Sequence, residues 1–163
     1  MRRVPLELVR TDQPDQVSVL RDGTAEMALV RLPIDREGLH AIPLYEERPV
    51  VMVPKDHAIA AADAVSLAEV EQLAAPRHPF DTHVEDTLEL VAAGVGSIVL
   101  PQSVARLHAR RDLVAREVTD VDPTGIALAW LSDPVPPRTE SEKYRIDTFI
   151  GIVRGRTARS SRQ

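Results

Sequence analysis

The chain of 163 residues contains no cysteine. That absence removes disulfide frameworks, thiolate metal sites and cysteine nucleophiles together, and it is compatible with a reducing compartment. Aromatic residues are scarce, with one Trp, two Tyr and two Phe. The core must therefore be assembled from Val, Leu, Ile and Ala, and a base-stacking platform for nucleic acid is not expected. An excess of positive charge is also missing: 20 Lys and Arg against 25 Asp and Glu give a net charge of -5. Nothing in that balance draws the chain toward DNA, RNA or an anionic membrane. Long apolar runs are lacking too, since the opening MRRVPLELVRTDQPD is interrupted by Pro5, Glu7 and Arg10. It is too short and polar for a signal segment or a membrane span, and the expectation is a cytoplasmic protein.

What the sequence does hold is enough apolar side chain for a core, at 44% hydrophobic and 28% charged residues. This suits one ordinary domain or two small lobes. Val4 to Val9 alternates like a strand and breaks at Arg10-Thr11-Asp12. Asp12 is placed as an N-cap with Pro14 in the first turn, which predicts a helix from about Pro14 to Leu20, ended by Gly23. Ala25 to Val30 then reads as a second strand, and the strand-helix-strand order implies a parallel pair. Leu39 to Pro54 reads as an extended crossover segment.

Three stretches have capping-box spacing: Ser66 to Glu69, Thr82 to Glu85 and Thr139 to Glu142. Each predicts a helix start. Val84, Leu88 and Val91 lie on one face of the second helix, with Gly94 as its C-cap. Ser97 to Leu100 reads as a buried strand feeding a helix from Gln102 to about Ala109. Leu113 to Val118 and Gly125 to Leu131 read as further strands before the proline stretch 134–137. A terminal helix lines up Ile146, Phe149, Ile150 and Val153, and 154–163 is expected to be a disordered basic tail. Strands and helices alternate, so the class is α/β.

Candidate chemistry is sparse. Asp12, Thr82 and Gln102 each open a helix at one sheet edge, where open α/β sheets bind small molecules and backbone N–H groups favour anions. The plainer explanation is ordinary capping. His78 and His83 are the closest histidine pair, but no third ligand stands at a metal-binding spacing. Asp81, Glu85, Asp86 and Glu89 are what a helix N-terminus favours through its dipole, without catalysis. Gly94-Val95-Gly96-Ser97-Ile98 fits neither a nucleophile elbow nor a phosphate loop. No catalytic residue, metal or cofactor is expected.

Several stretches, in order, resemble the effector-binding domain of LysR-type transcriptional regulators. Leu20-Arg21-Asp22-Gly23 before Ala25 to Val30 is similar to the family's leucine-x-x-glycine turn and strand, with Glu26 where an Asp is usual. Pro43 to Glu47, then Val50 to His57, is similar to the crossover strand and its proline-x-x-histidine end. Leu90-Val91-Ala92-Ala93-Gly94-Val95-Gly96 with Leu100-Pro101 is similar to the valine-x-x-glycine-x-glycine helix end and the leucine-proline strand end.

The resemblance covers most of Val4 to Val153. It implies two Rossmann-like lobes joined by crossover strands, as in periplasmic binding proteins, with lobe I at 1–48 and 126–153 and lobe II at 49–125. The second lobe is shortened, because only 74–81 separates two of its helices. The family's DNA-binding segment and the first strand and helix of its effector domain have no counterpart, so no direct nucleic-acid contact is expected. The implied site residues are Thr11, Asp12, Arg31, Thr82 and His83, with Arg31 placed to pair with a carboxylate effector. The implied partners are a small anionic effector and a second copy, through the Pro14 to Leu20 helix and the strand from Ala25. Two other readings stand beside this one: a standalone dimerisation or ligand-binding module that associates with full-length relatives, and an enzyme on a similar two-lobed scaffold.

Overall fold

The computed structural model describes residues 6–80 and 83–160, with side chains described up to 154. The chain divides into two compact units, residues 1–45 with 125–163, and residues 46–124.

In the first unit a 3-10 turn at Gln13–Asp15 leads to helix α1 (Ser18–Arg21) and strand β1 (Ala28–Arg31). Strand β2 (Leu39–Glu47) runs to the unit boundary. After the second unit the chain returns through its last strand, Thr124–Leu131, and a helix at Glu140–Ser160. The sheet order places the returning strand between β1 and β2, and it pairs antiparallel with β1 in the register Val30↔Ala127. Leu20, Val30, Leu39, Ala127 and Ala129 form the core on one sheet face. β2 carries Pro43, which an edge strand tolerates because it needs no ladder donor there.

The second unit opens with β3 (Pro49–Pro54), then β4 (Ala64–Val65), α2 (Leu67–Leu73), β5 (Arg77–His78), α3 (Val84–Ala92), β6 (Ser97–Pro101), α4 (Gln102–Leu107) and β7 (Leu113–Val118). The returning strand of the first unit is therefore β8 and the terminal helix α5. The sheet order is β4-β7-β3-β6-β5, with β3 antiparallel to both neighbours and β4 and β5 added in parallel. β3 shows why its run is apolar at every position. Val50 and Met52 face a core made with α3 and α4, while Val51 and Val53 face a second core with Ile59, Val65 and Val70. A strand buried on both faces has no polar side to alternate with.

Several sequence expectations are met. The Ser66 hydroxyl accepts from the Glu69 amide at 3.3 Å and the Glu69 carboxylate accepts from the Ser66 amide at 2.7 Å. Thr139 and Glu142 form the same reciprocal pair. Val84, Leu88 and Val91 are all buried, and Gly94 follows α3 with φ +79°.

Others need correction. The strand expected at Val4 to Val9 is absent over its described part: Leu6 to Asp12 has no regular structure, and Leu8 is 85% exposed. An alternating segment becomes a strand only where another strand takes its backbone groups. The parallel pair built on it is not formed, and β1 pairs antiparallel with β8 instead. The helix expected from Pro14 shrinks to a 3-10 turn and four residues of α1. Gln16, between the two pieces, turns its side chain to the Arg31 main chain of β1. The terminal helix, α5, continues to Ser160, into the stretch from 154 onward expected to be a tail. Arginine is a good helix former, which lets the helix propagate through that stretch.

Candidate functional site

Thr11 and Asp12 lie on the exposed segment leading into the 3-10 turn. Asp12 has extended backbone, and its carbonyl accepts from the Asp15 amide at 3.0 Å. Its carboxylate makes no capping bond, so the cap is supplied by backbone alone. Arg31 ends β1 and is half-buried. The feature that joins these positions is Gln16: its carboxamide donates to the Arg31 carbonyl at 2.9 Å and accepts from the Arg31 amide at 2.8 Å. A side-chain amide thus takes the place of a neighbouring strand and holds the turn after Asp12 against the end of β1. Sequence reasoning passed over Gln16, because a polar residue inside a short amphipathic stretch reads as solvated surface.

The other expected contacts lie in the second unit. Thr82 falls outside the described residues. His83 is the exposed N-cap of α3, with no side-chain bond to that helix end. Two of the acids that follow it have partners elsewhere rather than each other. Glu85 sits 3.8 Å from the His108 ring and Glu89 is paired with Arg110, which also grips Asp112 at 2.8 Å. The Arg110 guanidinium holds the Asp112 carboxyl below the usual carboxylate range. In the first unit Arg21 does the same to Asp35 at 2.7 Å. These are exposed pairs and add little to stability.

Among the described residues no three of His, Asp or Glu are grouped to hold a metal ion. Of the histidine pair set aside above, His78 bonds the Val95 carbonyl at 2.8 Å through Nε2. Ser97 is fully buried and its hydroxyl finds no partner among the described residues, so it has neither access nor an activating base there. Among the described residues no helix is long and apolar enough to cross a membrane.

Comparison with known proteins gives a consistent answer. Residues 2–87 match the family model described as the LysR substrate binding domain. A probable hydrogen peroxide-inducible genes activator of Mycobacterium avium is 28% identical over 137 residues, 68% of this chain and 44% of that protein. The HTH-type transcriptional regulator CatR of Pseudomonas putida is 29% identical over 118 residues, covering 57% of this chain and 41% of CatR. The chain thus spans less than half the length of these curated relatives. Among solved structures, a C206 mutant of Corynebacterium glutamicum OxyR superposes with a TM-score of 0.71 at 23% identity, over 93% of this chain and 54% of OxyR. The LysR-family regulator CbnR gives 0.66 at 17% identity, over 93% of this chain and 59% of CbnR. The curated relatives are regulators of transcription, not enzymes, and the fold is the mixed α/β, two-lobed one of LysR regulatory domains. The chain belongs to the LysR substrate-binding domain family.

Proposed function

We propose that this chain is the ligand-sensing regulatory part of a LysR-type transcriptional regulator, binding a small anionic effector in the cytoplasm and pairing with a second copy. The observation that carries the reading is the family match over residues 2–87. The tie between the turn after Asp12 and the Arg31 main chain supports it, because that tie holds the polar turn against the end of β1, where Arg31 stands. Thr11, Asp12, Arg31, Thr82 and His83 are the proposed effector contacts, and Arg31 the carboxylate partner through charge-assisted hydrogen bonds. An effector that binds one conformation of the chain better than another shifts the population toward it, and by linkage shifts whatever the regulator does on DNA. This chain makes no DNA contact of its own in the proposal.

The reading as a standalone pairing module has one observation in its favour. Among the described residues β1 has a neighbouring strand on one side only, and Leu29 on it is 59% exposed; such an edge invites another strand.

Thermal unfolding against a panel of small aliphatic and aromatic carboxylates tests the sensing role. A ligand at about a hundred times its Kd stabilises the folded state by about 2.7 kcal/mol, which raises Tm by several degrees. Arg31→Gln is expected to abolish that rise for the compound that gives it, with the unliganded Tm little changed. A flat panel, with light scattering showing a dimer throughout, would instead favour the pairing module.

A further inference from the structure

A hollow of about 190 Å³ opens between α4 and the sheet of the second unit, lined by Met52, Gln102, Ala105, Arg106, Ala109, Arg110, Leu113 and Ala115. Its floor is apolar: Met52 and Leu113, like Ala105 on the helix above, belong to the buried core on that face of the sheet. The charged groups around it are not equally committed to partners. Arg110 is satisfied twice, by Glu89 and by Asp112, and Lys55 adds a further cation close to Asp112. Those two cations and two anions sum to zero. Glu85, also on α3, lies 3.8 Å from the His108 ring at the end of α4. Arg106, in the last turn of α4, is left over: its guanidinium has no hydrogen bond or ion pair among the described residues.

An apolar pocket with one uncommitted guanidinium on its wall is complementary to a small molecule with an apolar body and one carboxylate. We infer that the hollow between α4 and β7 binds a small monocarboxylic acid, with Arg106 taking the carboxylate and the Met52, Ala105, Leu113 and Ala115 surface taking the hydrocarbon. This site lies wholly within the second unit and does not depend on the effector contacts proposed above.

Methionine provides the readout, because the chain has three, at positions 1, 27 and 52. With methyl-labelled methionine, cyclohexanecarboxylate is titrated at neutral pH and followed by NMR, with cyclohexylmethanol as its uncharged counterpart. The expected result is a saturable shift of the Met52 methyl with the acid, a much weaker one with the alcohol, and none at Met27 of the first unit. Arg106→Gln is expected to weaken the acid about tenfold or more, the loss of one charge-assisted contact, and Arg106→Lys to keep part of the affinity. Ala109→Leu, which adds bulk at an exposed lining position, is expected to abolish the shift. Equal shifts from acid and alcohol, an Arg106→Gln variant that binds like the parent, or a silent Met52 methyl would each overturn the inference. A shift at Met27 alone would locate binding in the first unit, supporting the effector reading while sinking this one.

Discussion

At the scale of single residues, Gly94 and Gly96 form a matched pair. Both adopt left-handed backbone, with φ of +79° and +76°, but a Cβ at Gly94 meets nothing within 4 Å whereas one at Gly96 falls 2.0 Å from the Pro76 carbonyl oxygen. That oxygen is fixed by the Ser97 amide at 3.0 Å. Gly94→Ala therefore carries backbone strain alone, about 1 kcal/mol, while Gly96→Ala also displaces main chain and is expected to cost about 3 kcal/mol or more in urea unfolding. Next to it, Ser97 is buried without a partner for its hydroxyl, so Ser97→Ala removes an unpaid desolvation and is expected to stabilise by roughly 1 kcal/mol. His57 shows the opposite case. Its Nδ1 accepts from the Ile59 amide at 3.2 Å and its Nε2 lies 3.0 Å from the Leu73 carbonyl. The ring must be neutral with its proton on Nε2 to serve both, and His57→Ala, which orphans both groups, is expected to cost about 1–3 kcal/mol. The glycine signature was visible in the sequence. The reason for it was not, because Pro76 and Gly96 are separated by a helix.

At the scale of elements, helix starts were legible where four consecutive residues hold all the chemistry. Ser66 with Glu69 and Thr139 with Glu142 close reciprocal bonds, and in each pair the hydrogen bonds from the capping residue hold the glutamate carboxyl below its ordinary value of 4.5. The sign follows from which form is bonded. A carboxyl depressed in the folded state contributes stability above its unfolded pKa and loses that contribution as pH falls through the folded value. Carboxyl NMR titration is expected to show Glu69 protonating below 4.5 in the parent chain. In Ser66→Ala it is expected to move up toward 4.5, with a lower thermal midpoint near neutrality and a smaller difference between the variants in acid. An unchanged Glu69 titration in Ser66→Ala would mean that the cap bonds are not formed in solution. The strands were less legible. β3 announced itself by an unbroken apolar run, but the alternation at Val4 to Val9 describes only what a segment offers to a neighbour. Nor did the pattern distinguish parallel from antiparallel pairing, which is settled by β8, almost a hundred residues further along the chain.

At the scale of the whole molecule, the same dependence on partners sets where the chain is held firmly and where it is open. The uncommitted Arg106 and the bridging Gln16 were hidden from sequence reading for this reason: each is defined by what residues from distant segments leave to it. β3 has a ladder on both sides and a core on both faces, so its amides exchange with solvent only when the second unit unfolds as a whole. Among the described residues β1 has a ladder on one side. The Leu32 amide bonds the Gly125 carbonyl of β8, and the Arg31 amide turns the other way, to Gln16. Two-residue alternation then points the Leu29 amide away from β8 as well, with no carboxamide to cover it. Native-state hydrogen exchange is expected to find Leu29 roughly a hundredfold or more faster than Val30, its paired neighbour, and both faster than Val51. In Gln16→Ala the Arg31 amide is expected to join Leu29 in the fast class while Val30 stays slow, because only the substitute strand has been removed. Equal protection of Leu29 and Val30 in the parent chain would mean that the edge is covered in solution by another segment or another copy, and the strength of that protection would report how tightly the cover is held.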